Sequence, residues 1–238
     1  MIKSKLINLI TNNENLDSYL TQAGKIYTYL NPVSYLQAQK LKDYFVKFDN
    51  IFIDGSLLAL AVHLFYGKKI KRRSFDMTSM APEVFEFANT HNKNICIVAT
   101  KQEYLNKTIK IFSKKWPMIR WVGCRNGYFS SDNDMEKAAN EISNLPIDFL
   151  IVGMGIGLQE KFLLMCKEAG FQGIGFTCGG FIHQTAILNG KIDYYPTWVN
   201  KMNLRFFYRM YKEPHTRNRY IKAFFVFPII FFKEKLWG

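Results

Sequence analysis

Short runs of consecutive apolar residues alternate along the chain with longer segments in which apolar residues recur every three or four positions. The runs have the length and composition of strands that are covered on both faces of a parallel sheet. The predicted strands are residues 27–30, 51–53, 95–99, 121–123, 149–152 and 173–176. The predicted helices are residues 34–48, 81–90, 102–114, 133–144 and 158–168. Such alternation predicts an α/β fold, in which right-handed crossovers build a mostly parallel sheet flanked by helices.

A glycine-rich turn follows the strand at residues 149–152. Gly153 and Gly155 belong to three alternating glycines, which let backbone N–H groups approach a ligand closely. The next helix opens at Gln159 and Glu160, and its positive end would face a phosphate bound at the turn. A tight turn that uses glycine only for its backbone angles gives the same pattern, so both interpretations stay open. Together the strand, turn and helix predict a Rossmann-like sheet.

The positive charge of the chain is concentrated at its C-terminal end. The formal net charge of the 238 residues is +13, and the last 38 residues, with nine basic and two acidic side chains, contribute +7 of it. An anionic partner is therefore expected: a nucleic acid, a phosphorylated substrate or an acidic membrane surface. We accordingly divide the chain into a main α/β domain, residues 1–199, and a basic, aromatic C-terminal appendage, residues 200–238.

The longest apolar run lies within this appendage, at residues 223–232. It contains Pro228 and is too short to span a bilayer. Because basic and aromatic residues surround it, we predict a helical appendage that faces a membrane and binds at the interface of anionic lipid. A solvated basic face over an ordinary core helix, or a dimer interface formed by the aromatic residues, is the alternative, so homo-oligomers are left open.

The cysteines and the first residues indicate the compartment. Cys96, Cys124, Cys166 and Cys178 are scattered without a C-x-x-C pair, so neither a zinc site nor a disulfide framework is predicted. The first residues lack the apolar stretch of a signal peptide. We expect a protein of the reducing cytoplasm that holds no metal.

Two side chains are candidates for acid–base chemistry. Asp54 ends a predicted strand and precedes Gly55, so its carboxylate lies at the edge where open α/β sheets bind ligands. A simple turn residue before glycine explains it as well. His183 has an imidazole that can accept a proton or bind a sugar hydroxyl near neutral pH, and a packing role is equally compatible with its sequence position.

Separated motifs follow one another between residues 27 and 221. They are Asn31-Pro32, Asp54-Gly55, Asp76 after a basic stretch, Trp116-Pro117, Gly127-Tyr128-Phe129, Gly153-x-Gly-x-x-x-Gln159-Glu160, Gly179-Gly180, Tyr195-Pro196-x-Trp198, Leu204-Arg205-Phe206-x-Tyr208-Arg209, Glu213-Pro214 and Arg217-x-Arg219-Tyr220. In this order and at this spacing, the chain resembles the WecG/TagA/CpsF family of bacterial glycosyltransferases. Each motif alone is weak evidence, and their combination is strong.

The resemblance implies transfer of a sugar from a UDP-sugar to a polyprenyl-diphosphate-linked saccharide at the inner face of the membrane, in the synthesis of a cell-surface polysaccharide. It implies inversion at the anomeric carbon without a metal or other cofactor, and a peripheral position on that membrane. The implied base is Asp54, with His183 as the second candidate. The implied donor-binding residues are Asn31, Arg73, Asp76, Gly127, Gly153, Gly155, Gln159, Glu160, Gly179, Gly180 and Gln184. The implied diphosphate- and acceptor-binding residues are Arg205, Arg209, Arg217 and Arg219.

The chain departs from the family pattern at three places. Tyr29 stands where many members have threonine, Gly157-Leu158 replaces Pro-Lys, and His183 replaces an aspartate. These departures leave the donor sugar open between a hexose and an N-acetylhexosamine such as N-acetylmannosamine.

Two other classes of protein compete with a glycosyltransferase. A nucleic-acid-binding protein without enzymatic activity explains the basic, aromatic C-terminal end but not the glycine turn. A dinucleotide-dependent oxidoreductase requires G-x-G-x-x-G early in a βαβ unit, and the glycine spacing here differs. We therefore expect a UDP-sugar, a lipid-linked acceptor and an anionic membrane as partners, and no nucleic acid.

Overall fold

Six parallel strands form one sheet in the part of the chain that the structure describes. The computed structural model describes residues 5–11, 19–188, 196, 199, 205–212, 214 and 217–237. The strands are β1 (Ile26–Leu30), β2 (Asn50–Ile53), β3 (Asn94–Ala99), β4 (Arg120–Trp121), β5 (Phe149–Gly153) and β6 (Ile174–Thr177). Their order across the sheet is β2-β1-β6-β5-β3-β4, and every pair is parallel. The carboxyl ends of the strands therefore meet at one edge.

Helices connect the strands and cover the sheet. They are α1 (Lys5–Thr11), α2 (Pro32–Ala38), α3 (Lys42–Phe45), α4 (Ser56–Tyr66), α5 (Met80–Thr90), α6 (Gln102–Lys115), α7 (Asp132–Ser143), α8 (Leu158–Glu168), α9 (Phe181–Ile187), α10 (Arg205–Lys212) and α11 (Arg217–Trp237). The core on one face of the sheet includes residues of α1 to α4, α7, α8 and α11, whereas α5, α6 and α9 pack on the other face. Three layers result, with the sheet in the middle.

The central strand β5 shows why these segments form a parallel sheet. All of its residues are buried, and Ile151 pairs with Ile97 of β3 on one side and with Phe176 of β6 on the other. Because neighbouring strands and both helical layers exclude water, an uninterrupted apolar run is stabilised there. The predicted α/β fold with a Rossmann-like parallel sheet is confirmed.

Two predicted details differ from the structure. The single helix predicted over residues 34–48 is divided into α2 and α3, and Leu41 lies at the break, where a Cβ at Gly157 would be 3.2 Å from its Cδ1. The helix α4 is not among the predicted elements, because nearly all of its residues are apolar and hide the 3.6-residue period.

The C-terminal helix α11 packs against α2 and α4. The ring of Tyr35 in α2 lies 5.4 Å from that of Phe227 and 5.3 Å from that of Phe231, and all three side chains are fully buried. Tyr35 Oη also donates a hydrogen bond of 2.8 Å to Glu234. Among the described residues, no helix is both long and apolar enough to cross a membrane. The proposed division into residues 1–199 and 200–238 stays a prediction.

Candidate active site

The carboxyl ends of β1, β2, β5 and β6 surround a cavity of about 490 Å³. Residues that follow these strands line it: Asn31 after β1, Asp54 after β2, Gly155 after β5 and Gly179 after β6. The helices α10 and α11 add apolar side chains to its wall, among them Phe224. The cavity therefore joins the ligand-binding edge of the sheet to the C-terminal segment.

Asp54 belongs to a chain of charged and hydroxyl groups on the cavity wall. Arg72 Nη2 lies 3.1 Å from Asp54 Oδ1 and donates a hydrogen bond of 2.8 Å to Ser74 Oγ. Ser74 in turn donates to Asp76 Oδ2 at 2.8 Å, and Arg72 lies 3.6 Å from that carboxylate. One guanidinium between two carboxylates holds both in place. The Asp54 side chain is still 33% exposed, so a ligand can reach it.

Arg72, rather than the predicted Arg73, faces the cavity. The Arg73 guanidinium lies 5.3 Å from the ring centre of Tyr19 and 3.5 Å from Glu83, and the side chain does not line the cavity. The backbone N–H of Arg73 donates to Ile53 at the end of β2, so this segment runs beside the sheet. The cationic side chain beside Asp54 in the cavity wall is therefore Arg72, one residue before the predicted one. A donor-binding role of Arg73 stays a prediction that this geometry does not favour.

Asn31 is the N-cap of α2. Its Oδ1 accepts hydrogen bonds from the backbone N–H groups of Val33 and Ser34, both at 3.0 Å, and Ser34 accepts one from the N–H of Asn31. This capping box fixes the start of α2 beside Asp54. Asn31 thus combines a structural role with a place in the cavity wall.

The predicted glycines have two different roles. A Cβ at Gly153 would lie 2.7 Å from both Cys178 Sγ and the Gly179 carbonyl oxygen, so this glycine permits close packing between the ends of β5 and β6. Gly155 and Gly179 have φ angles of +80° and +56°, and the space where their Cβ atoms would be is open. Both of these line the cavity, together with Gly180, and they present bare backbone to a ligand.

Gln159 and Glu160 hold the glycine turns in place. The Glu160 carboxylate is fully buried and accepts hydrogen bonds from the Gly157 N–H at 2.6 Å, Gln159 Nε2 at 2.8 Å and Thr28 Oγ1 at 2.9 Å. Gln159 Oε1 accepts from the Gly179 N–H at 3.1 Å. Burial raises the pKa of Glu160, and these donors oppose the rise. Glu160 does not line the cavity, whereas Gln159 does.

His183 and Gly127 lie outside the cavity. The exposed His183 has Nδ1 3.2 Å from Thr100 Oγ1, and its ring centre is 4.6 Å from that of Tyr104. A Cβ at Gly127 would lie 2.7 Å from Met154 Cγ, so packing requires glycine there. His183 is therefore not placed beside Asp54, although the next residue in the chain, Gln184, lines the cavity.

The predicted diphosphate-binding arginines are described only in part. Arg219 lines the cavity, and exposed Arg217 donates through Nε to the carbonyl oxygen of Met210, which ties α11 to α10. The side chains of Arg205 and Arg209 lie outside the described part of the chain, although their backbones belong to α10.

The comparison with protein families decides the identity of the chain. The model of the glycosyl transferase WecG/TagA/CpsF family matches residues 6–238. The chain belongs to this glycosyltransferase family. The resemblance based on separated motifs is thereby confirmed, and a glycosyltransferase, rather than a nucleic-acid-binding protein, accounts for the basic charge and the glycine turn together.

Two members of the WecG/TagA/CpsF family give the most informative matches. The chain is 32% identical over 213 residues, 89% of its own length and 87% of the relative, to a UDP-Gal:alpha-D-GlcNAc-diphosphoundecaprenol beta-1,4-galactosyltransferase of Shigella boydii. It is 22% identical over 215 residues, 85% and 80% of the two chains, to an N-acetylglucosaminyldiphosphoundecaprenol N-acetyl-beta-D-mannosaminyltransferase of Bacillus subtilis. Both relatives are named as glycosyltransferases that act on a sugar linked to diphosphoundecaprenol.

Some cavity residues of this family member were not predicted. Arg72 was masked by an equally basic neighbour, and Ser74 gives no motif of its own. Tyr220 and Phe224 stand in the aromatic C-terminal segment, but only the packing of α11 brings them to the cavity.

Proposed function

We propose that the chain transfers a sugar, with galactose as the first candidate, from a UDP-sugar to N-acetylglucosamine on a polyprenyl diphosphate. The names of both relatives contain an N-acetylglucosaminyl-diphosphoundecaprenol acceptor, and the more similar one uses UDP-galactose. The product is an intermediate of a bacterial cell-surface polysaccharide. The two relatives transfer different sugars, so the acceptor is the firmer part of the proposal.

Asp54 is the general base in this proposal. It takes the proton from the attacking hydroxyl of the acceptor as the new carbon–oxygen bond forms and the bond to the UDP oxygen breaks. Attack opposite the leaving group inverts the anomeric carbon. The single observation that carries the proposal is the partly exposed Asp54 carboxylate, held by Arg72 in the wall of the cavity at the carboxyl end of β2. His183 lies outside this cavity, which favours Asp54 over it.

The glycine turns receive the donor diphosphate. Gly155 and Gly179 leave room for a ligand beside bare backbone, and the N-terminus of α8 points its partial positive charge toward the turn that contains Gly155. Gln159 and Glu160 act by positioning these turns. Arg219, on the opposite wall, adds a cation for one of the diphosphates.

The transfer is proposed to need no metal, because Arg72, Arg219 and the helix N-terminus supply positive charge to the departing UDP. We expect turnover in millimolar EDTA to stay within about twofold of turnover in Mg²⁺ or Mn²⁺, since these positively charged groups are part of the polypeptide. A purified sample that loses activity in EDTA and regains it with one of these ions would show that a metal stabilises the leaving group.

The enzyme is proposed to bind the cytoplasmic face of the membrane through α11. Phe225 and Ile229 are 67% and 58% exposed, and exposed Lys222 and Lys233 lie on the same helix. An apolar helix face with basic neighbours suits the interface of an anionic bilayer. The lipid-linked acceptor is held in that bilayer, so attachment brings enzyme and acceptor together.

A donor screen tests the proposed reaction. The full chain is incubated with UDP-galactose, UDP-glucose, UDP-N-acetylglucosamine or UDP-N-acetylmannosamine and with a short-chain prenyl-diphosphate N-acetylglucosamine, and the product mass is measured. We expect one hexose or N-acetylhexosamine to be added, with UDP-galactose the most active donor. Absence of product with every donor, from a folded enzyme that binds UDP, would contradict the proposed acceptor.

A further inference from the structure

The surface that α4 and α11 share carries several exposed apolar side chains. On α4, Leu60 and Leu64 are 51% and 68% exposed, and they lie four residues apart, on one face of the helix. On α11, the exposed apolar residues recur at helical spacing opposite the buried face. They are Ile221, Phe225, Ile229, Phe232 and Leu236, each between 47% and 67% exposed.

The two exposed stripes belong to one surface. The ring of Phe65 lies 5.7 Å from that of Phe232 and 5.9 Å from that of Phe231, and the Lys235 amino group donates to the Phe65 carbonyl oxygen. Leu64 is the direct neighbour of Phe65, and Phe232 is itself 47% exposed. The α/β domain therefore extends the apolar face of the C-terminal helix.

Charge around this surface fits an anionic partner. Lys68, Lys69 and Lys71 follow α4, and all are exposed. The sequence of α4 contains no acidic residue, and the acidic residue of α11, Glu234, is turned inward with 5% of its side chain exposed. A second copy of the chain would bring a like-charged rim to this face, whereas an anionic lipid surface would bring opposite charge.

The cavity opens beside the same surface. Leu57 at the start of α4 and Phe224 of α11 both line the cavity wall, and Asp54 lies two residues before α4 begins at Ser56. Resting on the proposed function, we propose that α4 is a second membrane-binding element, located in the α/β domain, and that α4 and α11 together seat the cavity mouth on anionic lipid. The sugar hydroxyl of the acceptor then reaches Asp54 while the polyprenyl chain stays in the bilayer.

Vesicle binding of point variants of the full chain tests this inference. Leu60→Ser/Leu64→Ser removes apolar groups that are already exposed, so the fold is kept. We expect its partition onto vesicles of phosphatidylcholine with phosphatidylglycerol to fall by about tenfold or more, because two leucine side chains that would enter the bilayer are lost. Met118→Ser is the matched control, because Met118 is 54% exposed but precedes β4, at the opposite edge of the sheet.

Activity on a soluble short-chain acceptor separates this inference from the proposed function. We expect the leucine variant to transfer sugar to that acceptor at the wild-type rate, since neither leucine lines the cavity. Wild-type vesicle binding in the leucine variant would overturn the role of α4, even if transfer is confirmed. A wild-type dimer in solution that the leucine variant converts to monomers, with vesicle binding unchanged, would also overturn it and assign the face to self-association.

Lysine variants test the electrostatic part. Lys68→Gln/Lys69→Gln is expected to weaken binding to vesicles with phosphatidylglycerol by about fivefold to thirtyfold, at about 1 kcal/mol for each charge, and to leave binding to pure phosphatidylcholine unchanged. Equal loss on both lipids, or no loss on either, would contradict attraction to anionic lipid at this site.

Discussion

Glu160 is a buried carboxyl that holds the glycine turns beside the cavity without lining it. Three donors from β1, the glycine turn and α8 converge on its oxygens. Because Gln159 bonds both Glu160 and Gly179, one network joins the turn after β5 to the turn after β6. Sequence motifs identify both residues, but only the structure shows that Glu160 contacts the turn and does not line the cavity.

The variant Glu160→Gln separates positioning from charge. The amide replaces one acceptor oxygen by a donor, so one of the three bonds is lost, and we expect UDP affinity to fall by about threefold to tenfold. Burial raises the pKa of Glu160 above its unfolded value of 4.5, so the ionised form costs folded-state stability as the pH rises. Denaturant titrations should therefore show wild type losing stability relative to Glu160→Gln as the pH rises above 4.5 and through the raised pKa. An equal pH dependence in both proteins would contradict the raised pKa.

Two glycine substitutions distinguish packing from ligand approach. Gly153→Ala places a methyl group against the Gly179 carbonyl oxygen, so we expect a loss of about 1–3 kcal/mol in the free energy of unfolding. Gly155→Ala meets open space at φ +80°, so it costs about 1–2 kcal/mol of backbone strain and in addition projects into the cavity. Calorimetry should show weaker UDP binding for folded Gly155→Ala. Unchanged UDP affinity in that variant would make the turn purely structural.

At the residue level, a site residue could be predicted where the sequence itself places it at the end of a strand. Asp54 was predicted because strand ends meet at the binding edge of a parallel sheet. A donor-binding role of Arg73 stays a prediction, and Arg72 was not predicted, because which side chain faces the cavity depends on its direction in an irregular segment. His183 occupies a family motif, yet its contacts with Thr100 and Tyr104 lie beyond what the motif predicts.

The docking of α11 on α2 depends on a buried polar contact. Tyr35→Phe removes the hydroxyl that donates to Glu234, a carboxylate that is 5% exposed. Hydrogen bonds to buried charged groups contribute about 1.5–3 kcal/mol, so we expect α11 to open more often. Hydrogen exchange should rise by about tenfold or more in α11 and stay unchanged in β5.

Tyr211→Phe, in the neighbouring helix α10, provides the control. The Tyr211 side chain is 73% exposed, so its hydroxyl can bond water. It should leave hydrogen exchange in α11 at the wild-type level. Equal exchange in Tyr35→Phe and wild type would show that the Tyr35 hydroxyl is not needed to hold the helix.

At the element level, regular apolar periods gave helices α5 to α8 and most strands within a few residues. The pattern failed for α4, where almost every residue is apolar, and at the break between α2 and α3, where Leu41 lies near Gly157. Tertiary contacts decide the break between α2 and α3, whereas α4 hides its period because its exposed face carries Leu60 and Leu64 and is itself apolar.

At the scale of the whole molecule, the excess of basic residues predicted an anionic partner but not which one. Family membership over residues 6–238 assigns glycosyl transfer, and a role of the charge at a lipid diphosphate is part of the proposed function. Sequence alone did not place the C-terminal segment in the cavity wall, because long-range packing brings α11 against α2 and α4.

The central claim is that Asp54 removes the proton from the acceptor hydroxyl. Turnover of Asp54→Asn with its best donor and a soluble short-chain acceptor tests it most directly, with UDP affinity measured by calorimetry on the same sample. The control is Asp132→Asn, whose carboxylate is 78% exposed and pairs with Lys161. We predict that Asp54→Asn lowers turnover by about 10²–10⁴-fold with UDP affinity nearly unchanged, as loss of a general base requires. Wild-type turnover in folded Asp54→Asn would contradict the assignment. Complete loss of turnover in the single variant His183→Ala would also contradict it.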